Sequence, residues 1–206
     1  MNLNTIPTKG NLILARNSLS LARQGYSILD KKRNILIQEL QNLIAQAKDI
    51  QAEIAVTFGE AYDALRRANM DLGIGFVEEA ANSVPIEDSL RIRVRSVMGV
   101  EIPKVKYEPK RLVPTYSFYA TTEQLDNARF QFERVKELSI RLSETENSAF
   151  RLASEIRKTQ KRANALKNIT IPSYEALVKY MSDALEEKDR EEFTRLKVIK
   201  EQMQDR

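Results

Sequence analysis

Apolar residues recur at steps of three and four from Leu12 to Ala68 without losing phase: Leu12, Ala15, Leu19, Ala22, Tyr26, Leu29, then Leu36, Leu40, Leu43, Ala47, Ile50, Ile54, Ala61, Ala64 and Ala68. Only Arg33 and Thr57 interrupt the series with polar side chains. A mean step of about 3.5 residues keeps one narrow stripe on one side of a slightly underwound helix, which is the pattern of a coiled-coil seam. At about 1.5 Å per residue that helix would be roughly 85 Å long, which predicts a rod rather than a compact domain. Gly25 and Gly59 are its two interior glycines. Each is costly in a helix, and close approach of a partner or simple tolerance accounts for them equally. Pro7-Thr8-Lys9-Gly10 marks the start, with Thr8 or Asn11 as the cap.

A second stripe runs through Leu125, Ala128, Phe132, Val135, Leu138, Leu142, Thr145, Ala149, Leu152, Ile156, Thr159, Ala163 and Leu166, opened by a Thr122 cap. No Gly or Pro falls between Thr115 and Ile171. Pro172 removes an amide donor and disfavours helical geometry at Ile171, so a kink or a break is expected near 168–172. Tyr174, Leu177, Met181 and Leu185 resume the stripe about one residue out of phase, which favours a kinked, continuing helix. Two matching seams in one chain predict a mainly α fold: a long antiparallel two-helix coiled coil. The expected organisation is a first coiled-coil helix over 11–71, a middle region over 72–121 and a second coiled-coil helix over 122–206.

Within the middle region Leu90-Arg91-Ile92-Arg93-Val94-Arg95 alternates apolar and basic residues with period two, the mark of a half-buried strand. Gly99 stands where a turn belongs, and Pro103 confines the second strand to a sheet edge. A short β-hairpin is expected at about 90–107, with Arg91, Arg93 and Arg95 on one face. Such a face suits nucleic acid or an acidic protein surface, but charges on an edge strand also serve simply to resist aggregation. Pro109, Pro114 and an apolar cluster of Tyr116, Phe118 and Tyr119 lead out of the hairpin.

Composition narrows the chemistry. The chain has no Cys and no His, which removes disulfides, thiolate metal sites and the commonest general base. No phosphate-cradling glycine loop is present; Gly73-Ile74-Gly75 lacks the further glycine and lysine. Carboxylates lie among opposite charges on predicted helix surfaces, as solvated ion pairs do. No catalytic residue, metal site or cofactor is expected, and the chain is not expected to be an enzyme by itself. A net charge of +4 is spread rather than clustered, so nucleic acid is not an expected partner. The start of the chain lacks a signal-peptide pattern, and no apolar run approaches the roughly 18 residues of a membrane span. A cytoplasmic protein without direct membrane insertion is expected. The basic clusters Lys31-Lys32-Arg33, Arg66-Arg67, Lys110-Arg111 and Lys161-Arg162 are short and spread along the helices. Arg33, at a seam position, must snorkel or pair.

Several motifs, taken together in order and spacing, carry a resemblance. They are Pro7-Thr8-Lys9; Leu21-Ala22 with Gly25 and Lys31-Lys32-Arg33; Val97-Met98-Gly99-Val100 with Ile102-Pro103; Lys161-Arg162-Ala163-Asn164-Ala165-Leu166 before Ile171-Pro172; and Arg190-Glu191-Glu192-Phe193 with Arg195-Leu196-Lys197-Val198-Ile199-Lys200. Over nearly its whole length the chain resembles the D subunit of the V-type and A-type rotary ATPases, the central axle of the rotor. The resemblance implies a two-helix axle whose terminal end lies inside a hexamer of catalytic A and non-catalytic B subunits. It also implies a small F subunit beside the axle and a funnel-shaped subunit linking it to the membrane rotor ring, with the complex peripheral to the membrane. It makes Lys161 and Arg162 the first candidates for hexamer contact, with Lys9, Lys32 and Arg33 behind them. The competing expectation is a free-standing coiled-coil adaptor or nucleic-acid-associated protein using Arg91, Arg93 and Arg95.

Overall fold

A computed structural model describes residues 6–108, 113, 115–117, 119 and 121–204. Pro109, the Lys110-Arg111 pair, Pro114 and Phe118 lie outside the described residues. In order, the elements are α1 (Lys9–Leu72), α2 (Ile74–Asn82), β1 (Arg91–Val97), β2 (Val100–Lys106), α3 (Glu123–Ala165), a π-helical turn (Leu166–Thr170) and α4 (Ile171–Gln204). The fold is mainly α with one antiparallel hairpin, as the two periodicities predict. The chain divides into two compact units, Met1–Asn34 with Arg157–Arg206, and Ile35–Ile156.

In the first unit the Thr8 hydroxyl accepts the Asn11 amide at 3.2 Å and so caps α1. Ala15, Thr159, Ala163 and Met181 are buried along the seam. The cross-helix pairs run in opposite senses: Arg33 meets Gln160, Arg23 meets Glu175, and Lys9 meets Asp189. These helices are therefore antiparallel. The helix does not stop at Pro172. Instead it widens for the five residues before Ile171, whose amide reaches back to the Leu166 carbonyl in the i→i−5 pattern. One inserted residue per π turn rotates everything after it by about one helical position. That is the one-residue phase slip in the apolar pattern.

In the second unit the same antiparallel order holds: Tyr62 packs edge-on against Phe132 at 5.6 Å, and Glu53 pairs with Arg134. One cluster joins Leu36 and Leu152 to Val100 and Ile102 of the hairpin, with Leu40, Leu43, Val97 and Ile156 around it. A second joins Ala68, Val77, Ala80 and Leu125, with Leu65, Leu72, Phe76 and Tyr116 packed against it. The polar seam residues Thr57 and Thr145 are buried without penalty, because each hydroxyl donates to its own helix, to the carbonyls of Glu53 and Arg141 at 2.9 Å. Gly73, at φ 83°, ends α1 and lets α2 begin at once.

Three local expectations differ from what the structure has. Thr122 does not cap α3 through its hydroxyl, which is buried without a partner among the described residues; its carbonyl accepts the Leu125 amide instead. Ser148 is buried more fully than the expected seam residue Ala149, which is itself partly buried, and its hydroxyl donates to the Pro103 carbonyl of β2. The third concerns β1, whose Ile92 and Val94 are not half-buried but 74% and 63% exposed. The register pairs Arg95 with Ile102 and Val97 with Val100, so the arginines share the sheet face of the buried Val100 and Ile102. The anchored strand is β2, and β1 hangs outside it.

A Cβ built on Gly59 meets nothing within 4 Å, and one on Gly25 meets Leu166 Cδ1 at 3.7 Å, an ordinary contact. Close approach within this chain therefore explains neither glycine. Gly59→Ala is expected to raise the stability of the isolated chain by about 0.5–1 kcal/mol, read as an upward shift in a denaturant midpoint.

Candidate functional site

Three groups of residues stand out, and each lies within a single unit. The first surrounds the sequence-predicted basic residues. Lys161 and Arg162 occupy successive exposed positions on α3, beside the buried Ala163, and no interaction of either with the described residues is found. Arg33 is held instead. Its guanidinium donates to the Gln160 side-chain oxygen at 2.9 Å and pairs with Asp30 at 2.7 Å, and Gln160 in turn donates to Asn164 at 2.8 Å. The seam arginine thus pairs rather than snorkels, and ties α1 to the turn of α3 that bears Lys161 and Arg162. Lys32 is half-buried and has an interaction of its own. Lys9 forms an exposed ion pair with Asp189 at 3.5 Å. The structure therefore brings Arg33 close in register to Lys161 and Arg162, while Lys9 belongs to the far end of the same unit.

This unit also carries an outward apolar surface. Leu14, Leu21 and Ile28 follow one another at intervals of one heptad on α1, on the side away from the seam, and all are more than half exposed. On α4 every described side chain from Glu186 to Met203 is exposed, including Phe193, Leu196, Ile199 and Met203. The α1 pattern was legible as a second heptad beside the first, hidden because the seam accounts for the helix without it.

The second group is the hairpin. Met98 and Gly99 have φ of 49° and 78°, the positive pair of a type I′ turn, which is why Gly stands at 99. Pro103 lies on the side of β2 that faces α3, where a missing amide costs nothing. Along that side α3 supplies side-chain partners: Arg151 donates to the Glu101 carbonyl, Ser148 to the Pro103 carbonyl, and Glu144 accepts the Val105 amide. Arg91, Arg93 and Arg95 are exposed and, like Lys161 and Arg162, have no partner found among the described residues.

The third group has no counterpart in the sequence-predicted residues. A cavity of about 600 Å³ is lined mainly by apolar side chains, among them Leu65, Val77, Val84, Ile86, Leu125 and Phe132, with Glu87, Glu133 and Lys136 at its polar side. Lys136 bonds Glu87 at 2.9 Å and Glu133 at 2.5 Å, and the Tyr107 hydroxyl donates to Glu133 at 2.8 Å. The Ser89 hydroxyl and amide both donate to Glu87. Those hydrogen bonds, that of the Ser89 hydroxyl foremost and then that of Lys136, pull the Glu87 carboxyl down to about 2. Burial acts to lower the Lys136 ammonium, but its hydrogen bonds to Glu133, Glu87 and Tyr107 outweigh it and raise its pKa above the usual lysine range. Burial, then the bond to Glu133, pushes the Tyr107 phenol up. The Glu87-Asp88-Ser89 segment, with Ser89 donating back to Glu87, is a local signal; its pairing with Lys136, far along the chain, is not. The shifts of Glu87, Lys136 and Tyr107 all hold the ordinary charge at neutral pH more firmly. The cluster is built as a staple, not as an acid–base pair.

The described residues contain no group of acidic side chains arranged to hold a metal ion. No helix among them is long and apolar enough to cross a membrane. The described residues thus make a mainly helical protein of antiparallel helix pairs with a side-clasped hairpin and exposed apolar side chains. Residues 11–201 match the family model of the ATP synthase D subunit, and the chain belongs to that family. It is 44% identical over 98% of its length to the V-type ATP synthase D subunit of Thermotoga neapolitana, 99% of which is covered. It is 37% identical over 94% of its length to the A-type ATP synthase D subunit of Pyrococcus abyssi, 92% covered, and likewise 37% identical to that of Methanobrevibacter smithii, 85% covered. It is thus one of the subunits of a V/A-type ATP synthase, with others of that complex as its partners, and not an enzyme by itself.

The Glu87 carboxylate stabilises the middle region by an amount present in full above about pH 4.5, its ordinary value, and lost as pH falls through about 2. A carbon-detected titration of the Glu87 side chain is expected to show its midpoint near 2, and Ser89→Ala to move that midpoint upward.

Proposed function

We propose that this chain is the central-stalk axle of the rotary complex. It transmits torque between ATP hydrolysis or synthesis in a hexamer of A and B subunits and cation transport by the membrane rotor ring. A small F subunit lies beside it, and a funnel-shaped subunit couples it to the ring, so that the chain is peripheral to the membrane on the cytoplasmic side. The observation that carries this reading is the outward apolar surface of the terminal unit. Leu14, Leu21 and Ile28 on α1 are exposed, and so are Phe193, Leu196, Ile199 and Met203 on the stretch of α4 that runs past the Lys9–Asp189 pair; exposed apolar side chains gathered in this way mark protein–protein contact surfaces. A surrounding collar of subunits covers such a surface without gripping it through fixed ion pairs, which suits a part that turns.

Mechanically, an axle with different residues on its different sides is an asymmetric ligand for three chemically equivalent catalytic interfaces. It stabilises a different conformer at each, and by linkage a torque on the axle shifts the nucleotide equilibria in return. Lys161 and Arg162, exposed and without a partner found among the described residues, suit contact with acidic loops of the hexamer once per orientation. The Arg33–Gln160–Asn164 chain holds their helix turn against α1. Lys9 and Lys32 are already engaged within the chain and have a smaller part in this reading.

Reconstitution tests it. Adding the chain to a hexamer of A and B subunits is expected to change ATPase turnover and to enable coupling to the membrane ring; a hexamer indifferent to it would sink the reading. Reversing both charges, with Lys161→Glu and Arg162→Glu together, is expected to lower torque-coupled turnover several-fold while circular dichroism stays unchanged. Unaltered turnover would remove these two residues from the role.

A further inference from the structure

The hairpin has one guarded edge and one open edge. On β2, Glu101, Pro103 and Val105 turn their main-chain groups to α3, which meets them with Arg151, Ser148 and Glu144. Their cross-strand partners are Ser96, Val94 and Ile92. In an antiparallel ladder both members of such a pair point away from the interface. Ile92, Val94 and Ser96 therefore turn their amides and carbonyls outward, and no described residue pairs with them.

The two sheet faces flanking that edge are chemically opposite. On one, Arg91 faces Lys106, Arg93 faces Lys104, and Arg95 follows in line. These five cations are exposed, and no partner is found for any of them among the described residues. Like charges placed directly across a ladder are destabilising, so the arrangement costs the isolated chain something. On the other face Ile92 and Val94 are exposed.

We propose that the outer edge of β1 receives an extended segment of a partner protein in which acidic residues alternate with apolar ones. Such a strand satisfies three features at once. Its backbone completes the ladder at Ile92, Val94 and Ser96, its carboxylates lie beside the arginines, and its apolar side chains cover Ile92 and Val94. A nucleic acid would answer the cations alone and leave the edge amides and the apolar face bare. A second copy of this chain is disfavoured because edge-to-edge pairing of two β1 strands sets one arginine face beside another. The arginines thus act against self-pairing and for an acidic partner. The proposal stands on the hairpin alone and does not depend on the torque-transmitting reading.

The test uses the full chain and a fluorescein-labelled, capped peptide of alternating glutamate and valine, with a peptide of the same composition in separate glutamate and valine blocks as control. Binding of the alternating peptide is expected by fluorescence anisotropy, together with slowed hydrogen exchange at the Ile92, Val94 and Ser96 amides. Val94→Pro removes one outward amide and leaves every charge in place. Its cross-strand partner is Pro103, so the ladder already accommodates a proline at that level. This variant is expected to weaken binding about tenfold or more, as is the pair Arg93→Glu and Arg95→Glu. Equal binding of the block peptide, binding without protection of the three amides, or tighter binding of a single-stranded oligonucleotide of matched charge would overturn the proposal. The exchange measurement on the unmodified chain keeps it falsifiable should Val94→Pro disturb the hairpin.

Discussion

A pair of helices shares one seam, and every other feature of this protein answers to that limit. Each helix can bury about two residues in seven against its partner. Whatever apolar surface lies off that stripe must find cover elsewhere or stay exposed. In the second unit part of the cover comes from the chain itself: the hairpin lays Val100 and Ile102 over Leu36 and Leu152, and α2 lays Val77 and Ala80 beside Ala68 and Leu125. In the first unit no added element among the described residues plays that part, and Leu14, Leu21, Ile28 and Phe193 face outward. Both units leave apolar side chains exposed, Val56, Ile86, Ile92 and Phe150 in the second as well as Leu14 and Phe193 in the first, but only the second adds elements of its own over the seam.

Most of the helical architecture was legible because periodicity is a local property. A seam written at steps of three and four states which positions meet, and Leu36, Ala61, Ala64, Ala68, Leu125, Leu138, Leu152 and Ala163 are buried as it says. The phase slip around Pro172 was legible too, though as a kink or break and not as a π turn, since a pattern records that one residue is extra without saying how the backbone absorbs it. The hairpin was found, but its orientation was not. Alternation assigns residues to two faces and does not say which face is inward, and here Val100 and Ile102 of β2 decide the matter against Ile92 and Val94.

The candidate residues divide along the same physical line. That Arg33 must pair follows from its seam position; that its partner is Gln160 does not, because the two are brought together only by antiparallel register. The Glu87–Lys136–Glu133–Tyr107 cluster was invisible for the same reason: its members look like ordinary surface charges until the middle region folds back onto α3. For Lys161 and Arg162 the resemblance singled out the pair, and their exposure leaves them open to contacts made outside this chain.

The three side chains that α3 lends to β2 set how the hairpin bears load. Arg151 at Glu101, Ser148 at Pro103 and Glu144 at Val105 run in order along the strand. A pull directed along β2 strains all three bonds together, in shear. A pull away from the helix opens them one after another, from Val105 or from Glu101. The hairpin is accordingly stiff against sliding along α3 and compliant against being lifted from it.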